Sequence, residues 1–239
     1  MASTLLKSLC VSKAKPLEST AHGQPVRIPA DAVTLDGDLT VPAASRGIVV
    51  FAHGSGSSRH SPRNRYVAGV LSGAGLATLL MDLLTPDEET IDERTRHLRF
   101  DIALLAGRLV AATDWLASGE GTRHHALGYF GASTGGGAAL VAAAQRPRLV
   151  RAVVSRGGRP DLAGAVLARV TAPTLLIVGG DDDVVIGMNR DAMARMPGEV
   201  RLEIVPGAGH LFEERGTLAV VARLAAHWFT RHLAPASHE

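Results

Sequence analysis

The sequence predicts a single α/β domain built on a mostly parallel, doubly wound sheet with helices on both faces. Three observations carry that prediction. From Gly47 onward, short apolar runs alternate with helical patterns, as when strands are linked by crossover helices. Those runs are continuous rather than alternating, which suits strands buried on both faces. The chain has 239 residues, 46% hydrophobic and 20% charged, enough for one full core rather than two.

The elements follow in order. Residues 1–24 are rich in Ser, Thr and Lys without a clear period, and read as a loosely packed extension ahead of one domain at 25–235. Val26–Ile28 and Val33–Val41 read as two short strands, with Asp36-Gly37 marking a hairpin. Ile48–Ala52 is the first buried strand, followed by a Gly/Ser loop over 53–62 and a helix from about Asn64 to Gly73. Leu76–Leu83 is the next strand. After it, Thr85–Glu93 reads as an acidic loop with Pro86 as a breaker. Leu98–Leu116 reads as one long amphipathic helix, with Ile102, Leu105, Leu109 and Ala112 on one face. Strands are expected at Ala126–Phe130, Val150–Ser155, Thr174–Val178 and Arg201–Val205. Helices are expected after Ser133, at about Leu162–Arg169, near Asn189–Met196 and over Thr217–Leu233. The stretch between Ser155 and Thr174 is too short for a large lid domain, which implies an open site.

One motif gives this frame a chemistry. Gly131-Ala132-Ser133-Thr134-Gly135 lies between a strand-like run and an Ala-rich helix. This is the Gly-x-Ser-x-Gly nucleophile elbow, in which a strained turn lifts the serine hydroxyl clear of the sheet. The residues two before and two after the serine must be small, because strand and helix backbones pass close there. Serine is also a good helix N-cap, a role compatible with the elbow. A serine hydroxyl is a weak nucleophile and needs an adjacent base, itself oriented by a third group.

Both partners are present in the order this fold requires. The strand at Thr174 runs into Gly179-Gly180-Asp181-Asp182-Asp183, and the strand at Arg201 into Pro206-Gly207-Ala208-Gly209-His210. The acid is one of Asp181, Asp182 and Asp183, and spacing from Gly180 favours Asp182. His210 is the candidate base. His53 also follows a strand but precedes the serine, so it reads as a loop-shaping residue, and His124-His125 as surface. The oxyanion of an acyl-transfer intermediate needs two N–H donors. Thr134 supplies one, as the residue after the nucleophile. Ser55, in the loop His53-Gly54-Ser55-Gly56-Ser57-Ser58, supplies the other.

Arginine clusters remain. Arg59, Arg63 and Arg65 follow the oxyanion loop, and Arg156 and Arg159 flank Gly157-Gly158. Arg59, Arg156 and Arg159 are candidates for binding a substrate carboxylate or phosphate. The competing reading is salt bridging to the acidic stretch Asp87–Glu93.

Other classes are disfavoured. Net charge is +2 and the basic residues are dispersed, so nothing resembles a nucleic-acid-binding arm. No lysine lies beyond Lys15, and no phosphate-cradling Gly-x-x-x-x-Gly-Lys motif occurs. No His/Cys/Asp spacing suggests a metal. Cys10 is the one cysteine and reads as an inert free thiol. Met1–Cys10 makes a poor signal peptide, and no run approaches a membrane span, so a cytoplasmic location is expected.

From about Gly47 to Leu233 the chain resembles the dienelactone hydrolase branch of the α/β-hydrolase superfamily. The resembling stretches are Phe51–Ser57, Gly131–Gly136, Gly180–Val185 and Gly209–Phe212. The family's Gly-x-Asp-x-x-Val pattern places its acid at Asp182. Dienelactone hydrolases proper carry a cysteine in the elbow, where this chain has Ser133. The resemblance implies an α/β-hydrolase fold and hydrolysis of small or short-chain esters without a cofactor. Acyl transfer, perhydrolysis and slow-turnover ligand sensing are the alternatives on the same residues. The expected partner is a small-molecule ester.

Overall fold

The computed structural model describes residues 23–234. Most of the expected extension, and Cys10 with it, falls outside the described residues. Strands β1 (Gln24–Ala30) and β2 (Val33–Thr40) form an antiparallel hairpin with Ala30 opposite Val33. Its turn is Asp31-Ala32, with Asp31 at φ 53°, a left-handed conformation that Asp tolerates better than most residues. The expected turn at Asp36-Gly37 is instead the middle of β2. A Cβ on Gly37 would stand 3.1–3.2 Å from side chains of Leu79, Ile28 and Val26, so close packing rather than a turn requires this glycine.

The sheet has eight strands in the order β1-β2-β4-β3-β5-β6-β7-β8. Strand β4 (Ala77–Met81) pairs antiparallel with β2 and parallel with β3 (Gly47–Ala52). The parallel run continues through β5 (Ala126–Ala132), β6 (Val150–Arg156), β7 (Thr174–Gly179) and β8 (Val200–Val205). This order sets the ends of β3, β5 and β6 side by side. Ala52 pairs with Gly131, and Ala132 with Arg156. Sites in such sheets form at the carboxyl ends of the strands.

Alternate residues of the central strands feed two cores. Val49, Phe51, Phe130 and Val154 pack against helices α1 (Pro62–Gly73) and α6 (Thr217–His232). Ile48, Val50, Tyr129 and Val153 share the other core with α3 (Ile102–Ser118) and α4 (Thr134–Gln145). The buried Tyr129 hydroxyl finds a partner in Thr113 Oγ1 at 2.5 Å, which spares the core an unsatisfied polar atom.

Two helix expectations are corrected. The acidic stretch is helix α2 (Pro86–Thr95), not a loop. Thr85 caps it, its side chain accepting the Glu88 N–H while the Glu88 carboxylate accepts the Thr85 N–H. Pro86 stands at the first helical position, where its missing N–H costs nothing. The single helix expected from Leu98 is a short 3₁₀ turn, Leu98–Phe100, and then α3, which Asp101 caps through the Leu104 N–H. Between β6 and β7 lies only a kinked 3₁₀ segment, Pro160–Arg169, and α5 (Asp183–Met193) follows β7.

Candidate active site

The site begins where β5 turns into α4. Ser133 sits at φ 50°, ψ −120°, a strained conformation for any residue with a side chain. Its N–H donates to the Arg156 carbonyl, and its own carbonyl accepts from Gly136 and Arg159. These bonds hold the turn. The flanking glycines are there because nothing larger fits. A Cβ on Gly131 would meet the Gly135 carbonyl at 2.6 Å, and one on Gly135 would meet the Ala52 carbonyl at 2.2 Å.

The acid and base loops are pinned together by backbone. Asp181 N–H donates to the Ala208 carbonyl at 3.0 Å and Gly180 N–H to that of Val205 at 2.8 Å. Asp182 precedes α5 without capping it through its side chain, so its carboxylate is left for another donor. That donor is His210 Nδ1, 2.7 Å from Asp182 Oδ2. A carboxylate only accepts, so Nδ1 carries the proton and the Nε2 lone pair is exposed. Nε2 lies 3.3 Å from Ser133 Oγ. The three expected residues are thus brought into one chain of contacts, while Asp181 and Asp183 are exposed.

The two expected oxyanion donors also lie together. Ser55 N–H points at the elbow and donates to Thr134 Oγ1 at 3.0 Å. Thr134 opens α4, so its N–H is among the helix donors without an intrahelical partner. His53 is buried below. Its Nδ1 donates to the Gly54 carbonyl at 3.0 Å and its Nε2 accepts the Leu83 N–H at 3.1 Å. It shapes the loop and does not reach the serine.

The candidate arginines are not gathered at the serine. Arg59 is held by Asp82, with Asp38 beside it. Arg159 forms two bonds to Asp161, at 2.9 and 2.7 Å. The Arg159 fork is filled and Arg59 is paired through Nη1, and the partners are not the Asp87–Glu93 stretch. Arg156 is 7% exposed and has no carboxylate partner among the described residues. Its Nη1 donates to the Leu211 carbonyl at 3.4 Å, and its guanidinium lies 5.9 Å from the Phe212 ring centre. It lies under the loop that carries His210. Burial first, and the nearby Arg63 second, push its pKa down to about 10. Arg63 bonds Glu213 at 2.9 Å and so ties α1 to the same loop.

A cavity beside the oxyanion residues went unread in the sequence. Its lining includes Glu89, Asp92 and Arg99, contributed by α2 and the 3₁₀ turn. The available signal was Thr85-Pro86-x-Glu88, a capping box with proline at the first helical position. Among the described residues, no group of three or more His, Cys, Asp or Glu is placed to hold a metal ion. No described helix is long and apolar enough to cross a membrane.

The twisted parallel sheet with a strained elbow at the end of β5 defines an α/β-hydrolase. Within that class the chain belongs to the dienelactone hydrolase family, whose sequence model matches residues 35–232. The crystal structure of a dienelactone hydrolase from Anabaena variabilis is 64% identical. The match covers 88% of this chain and 97% of that one, with a TM-score of 0.87. Est1E from Butyrivibrio proteoclasticus, 15% identical, shares the fold at a TM-score of 0.72 over 87% of this chain and 98% of its own. Two strains of Mycobacterium tuberculosis carry relatives 64% identical over 208 residues, 87% of this chain, whose names propose a phosphoribosyl transferase. The chain spans 46% of the length of those relatives.

Proposed function

We propose that this hydrolase cleaves carboxylic esters with small or short-chain acyl groups, using Ser133, His210 and Asp182 as its triad. The observation that carries the reading is the relay from Asp182 Oδ2 to His210 Nδ1 at 2.7 Å and from His210 Nε2 to Ser133 Oγ at 3.3 Å. His210 Nε2 takes the hydroxyl proton as Oγ attacks the ester carbonyl. Asp182 holds the imidazole in the required tautomer and stabilises the imidazolium. The N–H groups of Ser55 and Thr134 bind the oxyanion, and the Thr134 hydroxyl gives up or shares the Ser55 N–H as they do so. His210 returns the proton to the leaving alcohol, and water activated by the same nitrogen then releases the acid from Ser133.

A serine at the elbow supports hydrolysis through an acyl-enzyme, and the ion pairs of Arg59 with Asp82 and Arg159 with Asp161 argue against a dedicated anion clamp there. The transferase name belongs to chains about twice as long as the matched part. The test is turnover of p-nitrophenyl esters from acetate to octanoate by wild type and Ser133→Ala. A loss on the order of 10³-fold or more is expected in the variant, with the optimum at the short end of the series. Equal rates for the two proteins would overturn the reading.

A further inference from the structure

The cavity beside the elbow has Ser55 and Thr134 on its wall, while Ser133 and His210 stand outside its lining. The leaving alcohol must lie within reach of His210 Nε2 to take its proton. With the alcohol turned toward His210 and the oxyanion on Ser55 and Thr134, this cavity is the space we assign to the acyl arm. Leu83, Leu84 and Leu105 supply the apolar lining. The space is small, with about 20 Å³ open to the centre of a water-sized sphere, so the arm it takes is short.

The polar lining has a definite charge. Asp92 is 2% exposed, and its Oδ1 accepts the N–H groups of Leu98 and Arg99 at 2.8 and 3.2 Å. Its other oxygen accepts from Arg99 Nε, and Arg99 Nη2 donates to the Asp92 carbonyl at 3.2 Å. The pair is neutral in charge, and Arg99 bonds Asp92 through Nε and Nη2. Arg99 Nη1 is packed on the oxyanion loop, 3.3 Å from where a Cβ on Gly56 would stand. The other two ionisable groups of the lining are His53, whose pKa burial lowers so that it is neutral at pH 7, and Glu89, with which no arginine among the described residues forms an ion pair. The lining thus carries one net negative charge, on an acceptor with free lone pairs.

Resting on the ester-hydrolase reading, we infer that Glu89 selects short, uncharged acyl groups carrying a hydrogen-bond donor, such as a hydroxyl, over anionic ones. The acyl hydroxyl donates to the Glu89 carboxylate, and an acyl carboxylate in the same place meets a like charge. Burial pushes the Glu89 pKa up, and the neighbours Asp82, Asp92 and Glu93 add to this against the pull of Arg99. A site that strains to hold one negative charge is poorly suited to a second.

The test compares p-nitrophenyl butyrate, 3-hydroxypropionate and hemisuccinate. Each kcat/KM is divided by the alkaline hydrolysis rate of that ester, which removes intrinsic reactivity. Wild type, Glu89→Gln and Glu89→Leu are measured, with Ser133→Ala as the blank. Ratios between substrates within one variant do not depend on how much of it is folded. Wild type is expected to favour 3-hydroxypropionate over hemisuccinate by about tenfold or more. Glu89→Leu should erase the preference for 3-hydroxypropionate over butyrate, and Glu89→Gln should narrow the rejection of hemisuccinate. Two results overturn the inference. One is a wild-type preference for hemisuccinate over butyrate, which would make Arg99 the reader of an anion. The other is a 3-hydroxypropionate to butyrate ratio unchanged in Glu89→Leu. If wild type turns over no ester above Ser133→Ala, the ester-hydrolase reading fails and this inference with it. Butyrate turnover tells the two failures apart.

Discussion

Arg156 holds a buried charge that no carboxylate among the described residues cancels, in a strand end that touches both Ser133 and the loop of His210. Its carbonyl accepts the Ser133 N–H, and its guanidinium reaches the Leu211 carbonyl and the face of Phe212. Even with its pKa pushed down to about 10, it is charged at neutral pH. Phe212 itself has φ 56°, a conformation that bulky residues avoid, so the loop after His210 needs support from below. Arg156 is thus expected to position His210 rather than to touch substrate. Arg156→Met should lower kcat by about 10–100-fold, in the range of an angstrom-scale misplacement, while KM changes little. Arg156→Lys should recover only part of the loss, because an ammonium cannot both stack on Phe212 and reach the carbonyl. Steady-state kinetics on a butyrate ester, alongside thermal melts of each variant, check this. A change in KM with kcat intact would instead return Arg156 to the substrate-binding role that its place after β6 suggests.

At the scale of elements, the closeness of β3, β5 and α4 sets what the elbow tolerates. A methyl group on Gly135 would lie 2.2 Å from the Ala52 carbonyl, and backbone cannot move aside as a side-chain tip can. Gly135→Ala is expected to destabilise the protein by about 1–3 kcal/mol or more, read as a lowered denaturation midpoint, and to lower activity together with it. The central parallel strands β3, β5 and β7 were legible because each is a largely apolar run with a candidate site residue just beyond it. The order Ser133, Asp182, His210 was legible because each residue lies within five positions of a strand's end. Helix α2 was not. Its sequence, PDEETIDERT, is polar almost all round and has no 3.6-residue apolar stripe, so its cap and its proline were the only local marks. Asp36-Gly37 misled in the opposite direction. Its turn chemistry is strong, but the side chains of Ile28 and Leu79 fill the space a Cβ would need. The partners of Arg59 and Arg156 could not be read at all, because Asp82 and Phe212 reach them only through the folded sheet.

Across the whole molecule, acid stability separates by residue type. Arg146 holds Asp114, and Arg159 holds Asp161, below the usual carboxylate range. A carboxyl with a depressed pKa contributes stability that is present above its unfolded value. That stability is lost as pH falls through the folded value, so these two act only below about pH 4. The histidines act higher. His53 is 6% exposed, and burial lowers its pKa, against a smaller upward pull from the Gly54 carbonyl and Asp82. Protonation would also cost the bond its Nε2 accepts from the Leu83 N–H. Between the folded value and about 6.5 the unfolded chain therefore binds more protons than the native one, and stability falls as pH falls. Burial lowers the His232 pKa in the same direction, so a single substitution removes only part of the effect. Urea denaturation at pH 7 and pH 5 stays above the range in which Asp114 and Asp161 act. Wild type is expected to lose stability between the two, and His53→Gln, which keeps an acceptor for Leu83 but no titrating ring, should lose less. An identical loss in both proteins would mean that the protonated ring finds a partner at the junction of β3 and β4. The stitch between those two strand ends, beside the oxyanion loop, would then survive mild acid.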